Sequence, residues 1–368
     1  MKEIELDNNL ELQIIATGMH LSPEFGNTYQ QIEKDGFIIN KKVDISLTSD
    51  TELAISKSMG LGMIGFSDAF NELQPDLLVV LGDRFEIFSA VSVAMIAKIP
   101  VAHLHGGEAT EGLIDEPIRH SITKMSHLHF TATNEYRNRV IQLGEQPDRV
   151  FNVGGLGIDN INKLKLLTKS DFEKAIDFEL GEKNLLVTFH PVTLENSTSE
   201  TQFQELLDSI SELKNTKIIF TKANSDTDGR IINSMIDAYV AKHDNTIAFV
   251  SMGQLNYLSA LQFVDVVVGN SSSGLAEAPS FNIATIDIGD RQKGRIKADS
   301  VISCLPSKDS IGKAFNELYS KQFQSAVGKV ENPYGKDGAS EEIVRIIKDI
   351  SLDGIVKKSF YDFKGFSQ

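Results

Sequence analysis

The stretch LLVVLGDRFEIFSAVSVAMIAKIPVAHLHGGEATEGLIDEPIRHSITK, residues 77–124, decides the fold that we expect for this chain. Two apolar runs in it, Leu77–Leu81 and Ile99–Leu104, have the length and composition of buried strands, and Phe85–Ala97 between them has the apolar spacing of a helix. A strand, a helix and a second strand predict a parallel sheet with a right-handed crossover. Each predicted strand ends in a group of polar residues. Because ligands of such proteins bind outside the carboxyl ends of parallel strands, we expect the functional site there.

The same alternation continues along the chain and predicts an α/β protein of two Rossmann-like domains, whose parallel sheets face a cleft. In the first domain we predict further strands at Leu10–Ala16, Leu128–Ala132 and Val150–Val153. In the second half we predict strands at Asn184–Phe189, Lys217–Thr221, Thr246–Val250, Asp265–Gly269 and Ile283–Ile286. The segment Gly154–Gly157 marks the boundary, so the predicted domains are residues 1–156 and 157–350. The aromatic C-terminal segment, residues 351–368, is too apolar for a free tail and is expected to pack on the first domain.

The chain opens differently from a usual parallel α/β domain, which begins with a strand. Its first residues, Met1–Leu6, resemble the last turns of a helix and precede the first predicted strand. We therefore expect the first strand of this domain, and the loop after it, to be absent from the chain.

The composition excludes several classes of partner. The chain has 368 residues, enough for two domains, with 41% hydrophobic and 24% charged residues. Its net charge of −15 argues against nucleic acid, which requires a basic face, but does not exclude a small anionic ligand. The single cysteine, Cys304, excludes internal disulfides and fits a reducing cytoplasm. No signal sequence and no apolar run of about 18–20 residues is visible, so we expect a soluble cytoplasmic protein without membrane segments.

The strand ends of the first domain carry carboxylates suited to proton transfer. Asp83, Glu108 and Asp115 lie close to predicted strand ends, and carboxylates that share a site can serve as base and acid. A plainer interpretation makes Asp83 and Arg84 a local ion pair and Asp115 a helix N-cap. His103 and His105 alternate on a strand, so only one of them is expected to reach the site. The histidine pairs lack a third and fourth ligand, so we expect no metal.

The second domain carries a phosphate-type site in the segment GNSSSGLAEAPSF, residues 269–281. Here a buried strand runs into a Gly/Ser turn and a short helix, where backbone N–H groups and hydroxyls can bind an anion. The segment GDRQKGR, residues 289–295, offers cations for the same anion. The alternative is that Ser271–Ser273 simply caps a helix. Glu277 could accept hydrogen bonds from a ribose, or could only favour the helix N-terminus as a nearby acid.

Six segments in this order resemble the bacterial hydrolysing UDP-N-acetylglucosamine 2-epimerases of the NeuC type. They are GDRFEIFSA (82–90), HLHGGEATEGLIDEPIRHSITKMS (103–126), VIQLGE (140–145), FHP (189–191), GNSSSGLAEAPSF (269–281) and IGDRQKGR (288–295). The resemblance covers nearly the whole chain and implies a GT-B-like fold, with the C-terminal tail crossing back to the first domain. It also implies that UDP-N-acetylglucosamine and water become N-acetylmannosamine and UDP. The implied course is C2 deprotonation with anti loss of UDP to a glycal, followed by hydration with inversion at C2, without a cofactor.

The resemblance also implies roles for individual residues. Asp83 and Asp115 match acid/base carboxylates, and Arg84 lies beside the sugar and diphosphate. The matches to the UDP-binding set are His190, Asn224, Met252, Ser271, Ser272, Glu277 and Arg291. Relatives with an H-x-E-G-G-E segment have a catalytic Glu where this chain has His105, so the third acid/base group is either Glu108 or His105. Relatives also begin with a strand and a T-G-x-R-A-E-Y loop that this chain lacks.

Three other functions stay open at this point. The same reaction could take UDP-N,N'-diacetylbacillosamine, as in legionaminic acid synthesis. A retaining glycosyltransferase would use a UDP-sugar in a similar cleft, and a UDP-sugar sensor would bind without turnover. The expected partners are a UDP-sugar and UDP, without nucleic acid or membrane, and the resemblance points to sialic-acid-type sugars for surface or capsule polysaccharide. We also expect a homo-oligomer, a dimer or tetramer, with Phe66–Leu73 as one possible dimer face.

Overall fold

All strand pairs in the computed structural model, which describes residues 1–45, 49–195, 198–335 and 337–363, are parallel. The chain divides into two units by its internal contacts. The first comprises Met1–Glu108, Ile114–Asp159 and the described residues of Lys336–Gln368; the second comprises Ala109–Leu113 and Asn160–Gly335. Parallel sheets in both units confirm the predicted α/β class. Among the described residues, no helix is both long enough and apolar enough to cross a membrane.

The strands of the first unit form two separate sheets. A two-stranded sheet pairs β1 (Ile15–Thr17) with β2 (Lys41–Val43). A four-stranded sheet has the order β3 (Leu78–Leu81), β4 (Val101–Leu104), β5 (Leu128–Thr131) and β6 (Val150–Asn152). The strand predicted at Leu10–Ala16 is therefore shorter and lies later, and the chain opens on the helix Lys2–Glu5.

The helices of the first unit bury both faces of the four-stranded sheet. They are Lys2–Glu5, Tyr29–Lys34, Glu52–Leu73, Phe85–Ala97, Asp115–Met125, Asn134–Gln142 and Ala339–Asp349, with 3-10 turns at Gly18–Leu21, Pro23–Phe25 and Pro147–Arg149. Neighbouring residues of β4 face opposite sides, so Val101 joins one apolar core and Ala102 another. Phe66 and Phe70 lie buried in the core that contains Val101. The dimer face suggested at Phe66–Leu73 is therefore wrong, because these rings are already covered within the chain.

The second unit contains one six-stranded sheet in the order β12-β11-β10-β7-β8-β9. Its strands are β7 (Lys183–Thr188), β8 (Thr216–Thr221), β9 (Thr246–Phe249), β10 (Val266–Gly269), β11 (Ala284–Ile288) and β12 (Val301–Cys304). The helices within it are Lys169–Ile176, Ser199–Ile210, Gly229–Val240, Gly253–Ala260, Ser273–Ala276, Lys308–Leu318 and Lys321–Val327, with a 3-10 turn at Ala278–Phe281. Strand β12 was not predicted, because its four residues at the sheet edge include exposed and partly exposed positions and give no continuous apolar run.

Two segments group differently from the predicted domains. The helix Leu156–Lys163 contains the division between Asp159 and Asn160, where an exit loop was expected. The helix Ala339–Asp349, assigned to the second domain from sequence, groups with the first unit. The buried Asp159 carboxylate explains this, since it accepts hydrogen bonds from the Ala339 and Ser340 backbone N–H groups at 3.0 and 2.6 Å. These bonds satisfy donors in the first turn of the helix.

The C-terminal tail lies on the first unit through a buried carboxylate, Glu145. The Lys358 ammonium donates to Glu145 Oε2 at 2.8 Å and to the Ser126 carbonyl at 2.6 Å. The Tyr361 backbone N–H donates to the Gly144 carbonyl at 2.9 Å. Gly144 has φ +90°, and a Cβ there would clash with the Phe360 ring, so this position requires glycine.

Glu145 stays ionised because its three hydrogen-bond donors lower its pKa by more than burial raises it. Its side chain is only 3% exposed, which raises its pKa, but hydrogen bonds from His129, Lys124 and Lys358 lower the pKa to about 2. His129 is neutral, because burial lowers its pKa. The two lysines therefore balance the charge of Glu145, with Lys124 Nζ at 2.6 Å from Oε1.

We predict that Glu145→Gln lowers the free energy of unfolding by about 3 kcal/mol at pH 7, since it leaves two lysines beside a neutral amide. A carboxylate whose pKa is depressed on folding stabilises the protein above its unfolded pKa of 4.5, and that stability is lost as the pH falls towards the folded pKa of about 2. The difference between wild type and variant should therefore shrink below about pH 4.5. Urea unfolding at pH 7 and pH 4 measures both. Glu212→Gln, at an exposed carboxylate, is the matched control, and an equal loss in both variants would contradict the assignment.

Candidate active site

The ends of β3 and β4 lie side by side at the carboxyl edge of the first unit's sheet. The Gly82 N–H donates to the Leu104 carbonyl at 3.1 Å, and the His105 N–H donates to the Phe130 carbonyl at 2.8 Å. Gly82 has φ +79°, so the chain turns sharply before Asp83. The polar residues that follow both strands therefore start from one edge, as the sequence predicted.

A buried guanidinium, that of Arg119, connects the acidic residues at this edge. Arg119 is 1% exposed and lies in the helix Asp115–Met125. Its Nη2 donates to Asp83 Oδ2, and its Nη1 donates to Glu116 Oε2 at 2.7 Å and to the Glu108 carbonyl at 3.1 Å. A buried cation must be compensated by such partners, because its desolvation is costly. One side chain thus fixes Asp83, Glu116 and the backbone at Glu108.

The structure does not show the Asp83–Arg84 ion pair or the Asp115 N-cap of the plainer interpretation. Asp83 pairs with Arg119 and not with Arg84, whose Nε lies 3.6 Å from Glu86 Oε2. Asp115 is buried, but it is the first residue of its helix and not the N-cap; that position is Ile114, which makes no side-chain cap bond. The N-cap interpretation of Asp115 is therefore wrong.

The two histidines at the end of β4, His103 within the strand and His105 directly after it, have different environments. His103 is fully buried, donates from Nε2 to the Gly82 carbonyl at 2.8 Å and has its Nδ1 3.2 Å from the Thr123 hydroxyl. Burial lowers the pKa of His103 to about 3, so this ring is neutral and structural. His105 is partly exposed, and its Nδ1 lies 2.9 Å from Glu108 Oε1. Of this pair, His105 is the one available for chemistry.

In the second unit, Asn270 ties together the residues that follow β7 and β10. Its Oδ1 accepts from the His190 N–H at 2.7 Å, and its Nδ2 donates to the His190 carbonyl at 2.8 Å. Gly269 before it has φ +133°, and a Cβ there would clash with the Thr188 carbonyl. His190 Nδ1 accepts from the Asn224 N–H at 3.4 Å, which leaves the ring proton on Nε2.

The segment with Arg291 meets the same asparagine. The Arg291 Nη1 and the Gln292 Nε2 both donate to the Asn270 carbonyl, at 3.2 and 2.7 Å. Arg291 Nη2 also lies 3.7 Å from Asp226 Oδ2. The structure therefore brings the predicted cation Arg291 to the Gly/Ser turn, although 20 residues separate them in sequence.

The three serines of this turn differ in their contacts, and only Ser271 acts as a cap would: its Oγ accepts from the Ser273 N–H at 3.4 Å. The helix Ser273–Ala276 is a single turn, and its N-cap Ser272 makes no side-chain cap bond. The Ser273 hydroxyl instead accepts a hydrogen bond from the Tyr257 hydroxyl at 2.6 Å. Burial, followed by the nearby Glu277, raises the pKa of Tyr257, so this phenol stays a donor. Glu277 follows the helix, and Met252 lies at the N-cap of Gly253–Ala260 after β9.

Five residues to which the sequence reasoning assigned no role position other residues of the site. Arg119 and Glu116 fix the first-unit carboxylates, and Asn270, Gln292 and Tyr257 hold the second-unit turn. Four of the five lie inside or beside the predicted segments, but nothing in the spacing shows which partners they contact. Within the part of the chain that the structure describes, no three His, Cys, Asp or Glu side chains are grouped as metal ligands would be.

Comparison with known families and proteins gives a consistent result. The family model described as UDP-N-acetylglucosamine 2-epimerase matches residues 2–348. The GDP/UDP-N,N'-diacetylbacillosamine 2-epimerase (hydrolyzing) of Campylobacter jejuni is 44% identical over 98% of this chain and 94% of its own length. Polysialic acid biosynthesis protein P7 of Escherichia coli is 42% identical over 97% and 90%. The UDP-N,N'-diacetylbacillosamine 2-epimerase (hydrolyzing) of Legionella pneumophila is 34% identical over 96% and 92%.

Two solved structures share the fold. The UDP-GlcNAc 2-epimerase from Neisseria meningitidis bound to UDP-GlcNAc has a TM-score of 0.81 at 19% identity, covering 95% of both chains. The UDP-GlcNAc 2-epimerase of Methanocaldococcus jannaschii in complex with UDP-GlcNAc and UDP has a TM-score of 0.70 at 18% identity, covering 92% of this chain and 99% of that one. These likenesses confirm the predicted GT-B-like fold class.

Proposed function

We propose that this chain, which belongs to the UDP-N-acetylglucosamine 2-epimerase family, is a hydrolysing 2-epimerase that converts UDP-N-acetylglucosamine and water into N-acetylmannosamine and UDP. Family membership rests on the match over residues 2–348 and on relatives that align over nearly their whole length. The structural observation that carries the proposal is the set of carboxylates around the buried Arg119, at the carboxyl edge of a parallel sheet.

The reaction consists of two half-reactions at adjacent ring carbons. A base removes the C2 proton, the C2–H electron pair becomes the C1=C2 bond, and UDP leaves C1 with the electron pair of the C1–O bond. Water then adds to C1 of the glycal, and an acid delivers a proton to C2 from the opposite face. Both half-reactions balance with proton transfer alone, so the chemistry requires no redox cofactor. General acid and base groups of this kind contribute about 10²–10⁴-fold each.

Asp83 and Asp115 are the carboxylates that we assign to the two faces of C2. Asp83 follows β3 and is held by Arg119, so its orientation is fixed before substrate binds. Asp115 is buried and opens the helix that carries Arg119, so the guanidinium that holds Asp83 belongs to the same helix as Asp115. Arg84 next to Asp83 is assigned to the sugar and diphosphate. His105 and Glu108 supply the third group.

The second unit holds the UDP moiety in this proposal. The Arg291 guanidinium and the N–H and hydroxyl groups of Ser271 and Ser272 bind the diphosphate. His190, oriented by Asn270, donates from Nε2 to a phosphate oxygen, and Asn224 supports its ring. The assignments of Glu277 to the ribose and of the Met252 backbone to the uracil complete the set. Solved structures of the same fold that contain UDP-GlcNAc or UDP support a UDP-sugar as ligand.

A second candidate substrate is favoured by the relatives themselves. Two of the similar proteins named above act, by their names, on diacetylbacillosamine nucleotides, whereas the family description names UDP-N-acetylglucosamine. Both sugars undergo the same change at C1 and C2 and differ at C4 and C6. We propose that the product enters sialic-acid-type sugar synthesis in the cytoplasm, in line with the single cysteine and with the 42% identity to polysialic acid biosynthesis protein P7.

Incubation of the protein with each UDP-sugar in D₂O tests this function. We expect UDP release together with N-acetylmannosamine that carries deuterium at C2, because the acid that reprotonates C2 exchanges with solvent. ¹H NMR identifies the sugar and the isotope at C2. Turnover of the diacetylbacillosamine nucleotide alone would move the assignment to the second substrate. A released sugar without deuterium at C2 would favour a glycosyltransferase, and binding of UDP without turnover would favour a sensor.

We also propose a homo-oligomer that uses exposed apolar side chains of the first unit. On the helix Glu52–Leu73 they include Leu53, Leu61 and Ile64, and Ile96 is exposed on Phe85–Ala97. Apolar residues on neighbouring helices form the kind of surface that subunit contacts cover. Light scattering coupled to gel filtration should give a dimer or tetramer mass for the wild type. Ile64→Asp with Ile96→Asp should give a smaller mass, and a monomeric wild type would contradict the proposal.

A further inference from the structure

We propose that His105 is the third acid/base group of the reaction and that Glu108 acts through it as a positioning residue. This inference rests on the proposed function and settles which member of the pair exchanges protons with the substrate. The observations that carry it are the backbone conformation of His105, the hydrogen bonds at its two ring nitrogens and the relative exposure of the pair.

His105 has a backbone conformation that side-chain-bearing residues rarely adopt. It follows β4 directly and has φ +63°, in the left-handed region. Such a conformation is unfavourable for a residue with a side chain, persists only where surrounding contacts hold it and is concentrated at functional sites. Here both ring nitrogens are held: Nδ1 lies 2.9 Å from Glu108 Oε1, and Nε2 lies 3.3 Å from the Leu156 backbone nitrogen.

These two hydrogen bonds define the tautomer of His105. A backbone N–H can only donate, so the bond from Leu156 requires a lone pair at Nε2. The ring proton is then on Nδ1 and is donated to the Glu108 carboxylate. A carboxylate bound to one imidazole nitrogen orients the ring, leaves the other nitrogen basic and stabilises the imidazolium that forms when that nitrogen takes a proton.

The exposure of the pair separates the two roles. The His105 side chain is 24% exposed, whereas the Glu108 side chain is 8% exposed. The pair belongs to the same hydrogen-bonded network as Asp83, because Arg119 donates both to the Glu108 carbonyl and to Asp83. His105 is therefore the member that a sugar can reach.

The reaction leaves one proton transfer for this pair. Asp83 and Asp115 are assigned to the two faces of C2, so the remaining task is to activate the water that adds to C1. His105 Nε2 takes a proton from this water, whose O–H electron pair forms the new C1–O bond. The C1=C2 electron pair takes a proton at C2 from the carboxylic acid, and the imidazolium later releases its proton to solvent. The 3.3 Å bond from Leu156 is the longer of the two, and the water replaces it in this step.

A double-mutant cycle tests the proposal. The four proteins are wild type, His105→Asn, Glu108→Gln and the double variant; Asn is chosen because it tolerates the left-handed conformation. We expect His105→Asn to lower the rate of N-acetylmannosamine formation about 10²-fold and Glu108→Gln about 10-fold. The double variant should match His105→Asn within about twofold, since Glu108 acts only through the histidine. The 2-acetamidoglycal should accumulate in all three variants, because elimination continues while hydration is slow.

The controls separate folding, function and inference. Far-UV circular dichroism and the UDP dissociation constant should be unchanged in every variant, and Glu135→Gln, at an exposed carboxylate paired with Arg139, should keep wild-type rates. The role of His105 would be overturned if the losses of rate in the two single variants multiplied in the double variant, or if Glu108→Gln lost more activity than His105→Asn. It would also be overturned if no glycal accumulated. In each case the proposed function would still stand. A wild type that turns over no UDP-sugar would overturn the proposed function itself.

Discussion

The buried guanidinium of Arg119 is the interaction on which the first unit's site depends. A cation that is 1% exposed is stable only if its donors are satisfied, and here one carbonyl and two carboxylates accept from it. These acceptors come from the end of β3, from the segment after β4 and from Arg119's own helix. The requirement to compensate one charge therefore fixes three chain segments, and with them Asp83 and the His105–Glu108 pair.

In the second unit a neutral side chain, that of Asn270, connects separate chain segments as Arg119 does in the first unit. The Asn270 amide forms two hydrogen bonds with the backbone of His190, while its own carbonyl accepts from Arg291 and Gln292. An uncharged residue suits this position, because an anionic ligand is expected beside it. A charged side chain in place of Asn270 would compete with Arg291 for that ligand. Both units thus build a site by tying the loop after one strand to the loop after its neighbour.

The sequence predicts the architecture well because strand and helix alternate with distinct apolar patterns, which need no knowledge of tertiary contacts. It misses β12, whose short edge strand lacks an apolar run, and it assigns Ala339–Asp349 to the other domain because only the structure shows its bonds to Asp159. Asp83, His105 and Arg291 stand out as polar residues at strand ends. Arg119 and Asn270 do not, since their importance lies in their contacts. Phe66 and Phe70 show the reverse error: apolar residues on a helix do not reveal whether the chain itself covers them.

The proposed reaction depends on a proton transfer at the sugar by Asp83, held by Arg119, while the second unit holds UDP. Asp83→Asn tests it most directly, because the amide keeps the size of the side chain and an oxygen for Arg119 but cannot accept the C2 proton. Steady-state kinetics and calorimetry with UDP should show kcat reduced about 10³-fold and the UDP dissociation constant within about threefold of wild type. A kcat within tenfold of wild type would contradict the account.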